Sequence, residues 1–221
     1  RPLAAAAALA AATPLRAGDL TAPLPDIPDP VGFAGAFAGV CGNELVAGGG
    51  ADFPDGVMPW EGGKKVWHDR LFALDLAQPD AKWRKLGTLP EPNGYGVSLT
   101  TREGILLIGG SDASKHLAIV RLVTIDGGEA RFRELPPLPR PLAQMAGAIA
   151  GRRVHLCGGI ESPSDTAASN LHWTLDLDHL SEGWQEQPAL PASGRILATA
   201  AVLGPSFIIA GGCSLAPDGT R

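Results

Sequence analysis

Several residue types are scarce in this sequence, and each scarcity excludes a class of protein. The 221 residues include three cysteines, Cys41, Cys157 and Cys213, which show neither the spacing of metal ligands nor a paired pattern. Aromatic residues make up 5% of the chain, and 18 basic residues stand against 23 acidic ones. The net charge of −5, without a basic patch that interleaves with aromatics, argues against a nucleic-acid partner.

The usual catalytic motifs are also missing. The chain has no Walker loop, HExxH or GxSxG motif, no Ser/His/Asp order and no two-metal cluster of carboxylates. We therefore predict neither a metal nor a cofactor. No stretch has convincing helical periodicity, whereas 29 glycines, 20 prolines and a hydrophobic content of 45% are typical of a soluble, turn-rich β protein with a large core.

What the chain does contain is a repeat. Four short apolar runs each end in a glycine pair, where we expect a backbone conformation closed to other residues. The second glycines of the pairs are Gly49, Gly110, Gly159 and Gly212. They lie roughly 50 to 60 residues apart, the period of a kelch-type propeller blade. A second marker, an aromatic residue followed six positions later by Leu-Pro, keeps the same period at Trp83, Phe132 and Trp184.

Each repeat divides into four strands. A strand of small residues follows each Leu-Pro loop, and small side chains suit the innermost strand because blades converge on a central channel. The strand that ends in the glycine pair comes second, a strand rich in β-formers third, and the aromatic-to-Leu-Pro segment fourth. The sequence therefore predicts an all-β, kelch-type β-propeller, with three complete repeats and part of a fourth.

The ends of the chain suggest a fragment. Six blades are expected in the full protein, and this chain covers about three and a half to four of them, so it is incomplete on the C-terminal side. Residues 1–17, too short and alanine-rich to span a bilayer, are expected to be the remnant of a secretory leader. Residues 18–221 would form the propeller, with residues 18–25 as a fourth strand that completes the last blade. A periplasmic or secreted protein, without membrane insertion after leader removal, is expected, and its oligomeric state is open.

The loops that follow the glycine pairs are the candidates for a site, because long polar loops on a rigid scaffold collect binding residues. The longest loop, residues 50–70, mixes both charges with aromatics. The candidate binding residues in these loops, and in the loops that enter the inner strands, are Asp52, Lys64, Asn93, Tyr95, Asp112 and Arg195. Each alone could equally brace a blade. Together they predict a polar funnel that suits a small polyhydroxylated ligand better than a lipid or a peptide.

Longer motifs resemble a known family. The runs EGGKK from Glu61 to Lys65 and YGVSL from Tyr95 to Leu99, together with PDPVGFAGAFAGV and IGGSDASKH, are similar to the cyclically permuted mutarotases, kelch-repeat relatives of the bacterial N-acetylneuraminate epimerases. The resemblance covers roughly residues 24–221. It implies a six-bladed propeller that interconverts sugar anomers without a cofactor, with sialic acid or a related sugar as its ligand.

The resemblance also implies a catalytic Glu directly after one glycine pair and an Arg a few residues later. Arg221 matches the Arg, but Cys213 stands where the Glu is expected. We therefore expect the acid to come from another blade, as Glu161, which we place at the same position after the glycine pair of the preceding blade, or as Glu61. Ring opening needs one base at the anomeric hydroxyl and one acid at the ring oxygen. The cations available for a sugar carboxylate are Arg195, Arg221 and Lys64.

Two other functions remain open on the sequence. A non-catalytic kelch module that binds glycan or protein is favoured if the funnel is shallow or apolar at its rim. A copper enzyme similar to galactose oxidase would need tyrosine and histidine ligands near a cross-linking cysteine. The chain has one tyrosine, Tyr95, and no such set.

Overall fold

The computed structural model describes residues 23–78 and 80–216, which form antiparallel sheets that follow one another along the chain. In the first sheet the strands lie in the order β1-β2-β5-β6. These strands are β1 (Phe37–Cys41), β2 (Glu44–Gly48), β5 (Arg70–Asp75) and β6 (Arg84–Thr88). Between β2 and β5 the chain forms a separate short pair of strands, β3 (Ala51–Asp52) and β4 (Val66–Trp67).

The next two sheets repeat this plan. The second sheet consists of β7 (Val97–Thr100), β8 (Ile105–Ile108), β9 (Val120–Asp126) and β10 (Glu129–Glu134). The third consists of β11 (Ala146–Ala150), β12 (Arg153–Cys157), β13 (His172–Asp176) and β14 (Gln185–Glu186). A hairpin of β15 (Ile196–Leu203) and β16 (Ser206–Cys213) follows.

These sheets are the blades of a β-propeller. The first strands of successive sheets, β1, β7, β11 and β15, contact one another and so form the inner wall. The predicted fold is confirmed, with three complete blades and the inner hairpin of a fourth among the described residues. In the same residues the helical turns are two short 3-10 turns, Pro59–Glu61 and Leu180–Glu182. None of the described helical segments has the length and apolar character to cross a membrane.

The cores lie between neighbouring blades, and strand β8 belongs to two of them. Ile105 and Leu107 pack in the cluster shared with the first blade, whereas Leu106 and Ile108 pack in the cluster shared with the third. Successive side chains of a strand point to opposite faces, so a fully apolar strand is buried on both faces. Removing each such side chain from water contributes about 1.5–3 kcal/mol, which makes blade stacking the main source of stability.

Hydrogen bonds between blades satisfy the edge of an inner strand. The backbone N–H of Ala38 donates to Ser98 Oγ at 3.0 Å, and that of Val40 donates to Thr100 Oγ1 at 2.9 Å. Since β1 has β2 on one side only, these amides would otherwise lack a protein partner. The small hydroxyl residues in β7 therefore fill the channel wall and close the edge of the preceding blade.

The glycine pairs allow one blade to approach the next. Both glycines of the three later pairs have φ between 59° and 105°, as predicted for a conformation that disfavours other residues, and in the first blade Gly49 and Gly50 have φ of 64° and 78°. A Cβ on Gly109 would lie 2.5 Å from the carbonyl oxygen of Leu142, and one on Gly158 would lie 2.4 Å from that of Arg195. The first glycine is thus required because the loop of the following blade passes directly over it.

In the first blade the repeat is offset by one residue from the sequence-based alignment. The N–H of Gly110 donates to Leu142 of the next blade, and in the first blade it is Gly50, not Gly49, that makes the matching bond, to Asn93. The structural pair is therefore Gly49 and Gly50. Three consecutive glycines left the sequence without a means of choosing between the two alignments.

The aromatic marker also has a physical cause. The indole N–H of Trp184 donates to the carbonyl of Pro136 in the preceding blade at 3.0 Å. Trp83 makes the equivalent bond, at 2.7 Å, to Pro25 near the start of the described chain. The strand predicted for residues 18–25 and the leader predicted for residues 1–17 lie almost wholly outside the described residues.

Candidate functional site

A polar cleft of about 320 Å³ opens at the end of the channel where the inner strands begin. All four blades contribute to it, through the loops after the glycine pairs and the residues that precede the inner strands. Its polar and aromatic lining includes Lys65, Trp67, Tyr95, Ser111, Asp112 and His116. A concave site with few convergent polar groups, on a rigid scaffold, is the kind of place where small ligands bind.

The long loop of the first blade places a cation in this cleft. Lys65 Nζ contacts the hydroxyl of Tyr95, and it lies 4.2 Å from the centroid of the Tyr95 ring and 5.2 Å from that of Trp67. The indole N–H of Trp67 donates to Ser111 Oγ at 3.2 Å. The ammonium thus lies against the rings of Tyr95 and Trp67, and the hydrogen bond of Trp67 to Ser111 ties this segment to the second blade.

His116 supplies a neutral imidazole. Its Nδ1 lies 3.0 Å from the carbonyl oxygen of Ile160, and because a carbonyl only accepts, Nδ1 must carry the proton. Nε2 is then the acceptor nitrogen. Burial lowers the pKa of His116 below its usual value, and this effect outweighs the opposing bond to Ile160. The ring is therefore uncharged at neutral pH, which is the state required of a general base.

Asp112 lines the same cleft, as predicted from its loop position, but its carboxylate is engaged locally. Oδ1 accepts hydrogen bonds from the backbone N–H of Ser114 and Lys115 and from the hydroxyl of Ser114, at 2.7–2.9 Å. Burial raises the pKa of Asp112, yet these bonds outweigh burial and the pKa is lowered. Asp112 is thus ionised and shapes the loop that carries His116.

Exposure alternates along residues 64–67, the segment that leads into and includes β4. Lys65 and Trp67 line the cleft, whereas Lys64 and Val66 are exposed. Because the side-chain period of a strand is two, adjacent lysines point in opposite directions. The predicted cation Lys64 does not line the cleft, and its neighbour Lys65 does. The sequence offered both lysines but no register for so short a strand.

The predicted acid Glu161 also lies outside the lining. Its carboxylate forms an ion pair with Arg140 Nη1 at 2.6 Å, and its side chain is 34% exposed. The residue that bridges back to the inner strand after a glycine pair is Ile160 in the third blade and Cys213 in the fourth. Ile160 therefore occupies the place of Cys213, and Glu161 comes one residue later. A shift of one residue sends a side chain to the other face.

Two more of the predicted binding residues brace loops, one in the first blade and one at the entry to the second. Asp52 is buried, with Oδ1 2.9 Å from His68 Nε2, and neither atom has another hydrogen-bond partner. Arg70 donates to His68 Nδ1 at 3.2 Å, so the proton of His68 is on Nε2 and faces Asp52. Asn93 is buried and donates from Nδ2 to the carbonyl of Gly109 at 3.0 Å. These contacts brace loops rather than face the cleft.

The remaining candidates are spread around the structure. Glu61 is exposed in a 3-10 turn, where its Oε2 accepts from the backbone N–H of Met58 at 3.2 Å. Arg195 Nη1 donates to the carbonyl of Gly211 at 2.9 Å, outside the cleft lining. Arg221 lies outside the described residues. Tyr95, predicted from the loop that enters β7, does line the cleft.

Five other residues line the cleft. Trp67, His116 and Gln144 lie in the loops that the sequence indicated, without being among the candidate binding residues, whereas neither Ser111 nor Leu197 was singled out. Leu197 lies within an inner strand, and its position in the repeat was the one available indication. Cys157 is buried, and burial raises the pKa of its thiol to about 12. Within residues 23–78 and 80–216, no group of three or more His, Cys, Asp or Glu side chains is arranged to hold a metal ion.

Comparison with known proteins supplies the family. The family model described as "NANM: N-acetylneuraminate epimerase" matches residues 13–131. The chain belongs to the N-acetylneuraminate epimerase family. This confirms the resemblance drawn from the EGGKK and YGVSL runs, which both fall within the matched segment.

Individual relatives agree with this assignment. An N-acetylneuraminate epimerase from Haemophilus influenzae (strain PittEE) is 36% identical over 118 residues, which are 47% of this chain and 30% of that protein. One from Yersinia enterocolitica is 37% identical over 101 residues, 41% of this chain and 25% of that protein. The matched segment thus spans less than a third of the length of these relatives.

A solved structure supports the fold. The structure titled "Structure of YjhT" superposes with a TM-score of 0.68 and covers 84% of this chain and 64% of that chain, at 16% sequence identity. Because 84% of the chain is covered, the similarity extends past residue 131, where the family match ends.

Proposed function

We propose that the complete protein accelerates anomer exchange of N-acetylneuraminate or a closely related sugar. Two facts support this: the membership of residues 13–131 in the N-acetylneuraminate epimerase family, and the cleft in which a lysine, a phenol and a neutral imidazole converge. The alanine-rich opening of the sequence favours a periplasmic or secreted location for this activity.

The observation that carries the mechanism is that His116 lines the same cleft as the contact between Tyr95 and Lys65. His116 Nε2 removes the proton of the anomeric hydroxyl, and the electron pair of that O–H bond becomes the new carbonyl bond. The bond from the anomeric carbon to the ring oxygen breaks, and the ring oxygen takes the proton of the Tyr95 hydroxyl. Rotation about the freed carbon and the reverse steps give the other anomer and restore both groups.

Lys65 has two tasks in this scheme. Its ammonium stabilises the negative charge that develops on the Tyr95 oxygen as the proton leaves. In a sialic acid the carboxylate, the ring oxygen and the anomeric hydroxyl share one carbon, so the same ammonium also faces the carboxylate as a point charge. Arg221 and Arg195, predicted from the sequence, remain candidates for a second contact to that carboxylate.

In this scheme an imidazole and a phenol carry the protons, in place of the carboxylate expected from the sequence. Glu161 is engaged by Arg140, and Glu61 lies in an exposed turn, so neither has a place in the cleft lining. This arrangement also accounts for a chain that carries Cys213 where the family resemblance implied a Glu. A base and an acid on opposite sides of the sugar suffice for ring opening.

The test is anomer equilibration of freshly dissolved α-N-acetylneuraminate by the complete protein, followed by proton NMR. Tyr95→Phe and His116→Gln should each slow the enzyme at least tenfold, since acid or base assistance contributes about 10²- to 10⁴-fold. Glu161→Gln is the matched control and should leave the rate within twofold. If Glu161→Gln loses the activity and Tyr95→Phe keeps it, the proton carriers are misassigned. Equilibration by wild type at the buffer rate, with the sugar still bound, would instead make this chain a sugar-binding relative.

A further inference from the structure

Three residues other than glycine adopt a left-handed backbone conformation in the described chain. They are Tyr95, Gln144 and Leu197, with φ of 61°, 59° and 58°. This conformation crowds the Cβ of an L-residue and is rare, above all for a bulky side chain such as leucine. Three such residues with nearly the same φ in one small protein call for a common cause.

The common cause is their position in the repeat. In each blade the residue that follows the glycine pair forms a β-bridge with a residue at the start of the inner strand, and the left-handed residue comes directly after that partner. The bridges are Gly94 with Ser111, Ala143 with Ile160 and Ile196 with Cys213. The first blade has the same feature, where Ala34 bridges to Ala51 and is followed by Gly35 with φ of 64°. We call Gly35, Tyr95, Gln144 and Leu197 the rim residues.

A continuous run of backbone hydrogen bonds joins the rim residues of successive blades. The N–H of Tyr95 donates to the carbonyl of Gly35 at 2.8 Å, that of Gln144 to Tyr95 at 2.8 Å, and that of Leu197 to Gln144 at 2.9 Å. These bonds fix the left-handed conformation, because each rim residue must present its N–H to one neighbour and its carbonyl to the next. The backbone therefore requires the conformation but makes no demand on the side chain.

Glycine is the residue that satisfies such a backbone without strain, and the first blade uses it. There it has a further reason, since a Cβ on Gly35 would lie 2.6 Å from Cδ1 of the Tyr95 ring. The other three blades carry large side chains instead, and all three line the cleft. Strained residues of this kind cluster at sites where function requires the side chain.

We propose that the rim residues determine which sugar the cleft accepts, with one side chain from each of three blades touching the ligand. Tyr95 supplies a phenol, Gln144 an amide that pairs with hydroxyl or acylamino groups, and Leu197 an aliphatic surface for a C–H face or an acyl methyl. Leu197 is 51% exposed in the described chain, so its apolar surface is open to the cleft. This inference rests on the proposed function, because it assigns the specificity of the same site.

The experiment separates binding from stability by the use of glycine. Gln144→Gly and Leu197→Gly remove a side chain but relieve the backbone, so the Tm should stay within about 2 °C of wild type or rise. Binding of N-acetylneuraminate, titrated by NMR, should weaken by about threefold to tenfold, the equivalent of one lost hydrogen bond or apolar contact. Gln144→Asn keeps an amide on a residue that tolerates this conformation and should recover part of the loss.

Leu203→Gly is the matched control. Leu203 lies at the far end of β15, 72% exposed, and does not line the cleft. A glycine there weakens a strand without relieving any left-handed residue, so it should lower the Tm and leave sugar binding unchanged. The two Leu→Gly variants should therefore change opposite properties.

N-Acetylneuraminate, N-acetylglucosamine and glucose are titrated in parallel so that the two proposals can fail separately. Rim variants that bind every sugar as wild type does, or that lose more than about 5 °C in Tm with binding intact, would overturn the rim inference. So would a wild-type protein that binds none of the three. Wild type that binds one of these sugars without equilibrating sialic acid anomers would contradict the proposed function, while the same variants still decide the rim inference on that sugar.

Discussion

The substitution Gly109→Ala isolates the cost of bringing one blade against the next. Gly109 has φ of 59°, and a Cβ there would lie 2.5 Å from the carbonyl oxygen of Leu142 and 2.8 Å from Cε of Met145. The carbonyl of Leu142 cannot simply retreat, because it accepts the N–H of Gly110 at 2.8 Å. Gly127 is the matched control, since it has the same φ of 59° in a hairpin turn but no atom within 4 Å of an added Cβ.

The expected magnitudes follow from these surroundings. A left-handed alanine costs about 1–2 kcal/mol, offset by about 0.4–1 kcal/mol because alanine restricts the unfolded chain. Gly127→Ala should therefore lower the free energy of unfolding by about 0–1.6 kcal/mol. Gly109→Ala carries the same cost plus about 1–3 kcal/mol of overpacking against Leu142 and Met145. The difference between the variants measures the contact between blades.

The assay is thermal unfolding of both variants, followed by tryptophan fluorescence from the five tryptophans of the chain. For a protein of this size each kcal/mol shifts the Tm by about 2–4 °C, so Gly109→Ala should melt roughly 2–12 °C below Gly127→Ala. Equal Tm values would refute the reasoning. They would mean that the following blade accommodates the methyl group without loss of stability, and that glycine is required at this position for its φ alone.

Two further predictions concern stability. Trp184→Phe removes the indole N–H that donates to Pro136, and phenylalanine already occupies the equivalent position of the second blade as Phe132. The free energy of unfolding, measured in urea, should fall by about 0.5–1.5 kcal/mol. A larger decrease would mean that packing of the ring dominates. His155 Nδ1 lies 3.0 Å from His172 Nε2, and burial lowers the pKa of both side chains. The unfolded chain therefore binds more protons than the folded chain below about pH 6.5. The Tm should fall when the pH is lowered from 7.5 to 5.5. His155→Gln should flatten this slope, and an unchanged slope would show that the pair does not cause it.

The fold could be predicted from the sequence because its determinants are local and repeated. A glycine pair such as Gly109 and Gly110 recurs in every blade, and in the first three blades a Cβ on the first glycine would lie 2.6, 2.5 and 2.4 Å from a carbonyl oxygen of the following blade. The third strand of each blade was equally visible, since its β-formers are buried on both faces. Where a local feature was ambiguous, as in the three glycines at 48–50, the prediction was off by one residue.

The site was less predictable because side-chain direction changes with every residue of a strand. Lys64 and Lys65 are chemically equivalent in the sequence, and only the course of the segment that leads into β4 brings Lys65 to Tyr95. Glu161 was placed one position too early in the repeat, and the pairing of Ala143 with Ile160 corrects that. Such errors of one residue reverse the face, whereas they hardly affect a fold assignment.

The sequence by itself determined the family, the propeller fold and the end of the channel at which the polar loops gather, because repeats, glycine pairs and motif runs depend on short-range order along the chain. Only the tertiary structure decided which polar residues face the cleft and which brace a loop. Asp52 and Asn93 look like binding residues in the sequence, but their partners, His68 and the carbonyl of Gly109, each lie 16 residues further along the chain and are brought to them by folding. The left-handed rim is of the same kind, since its conformation is imposed by hydrogen bonds between blades that exist only once the blades have assembled.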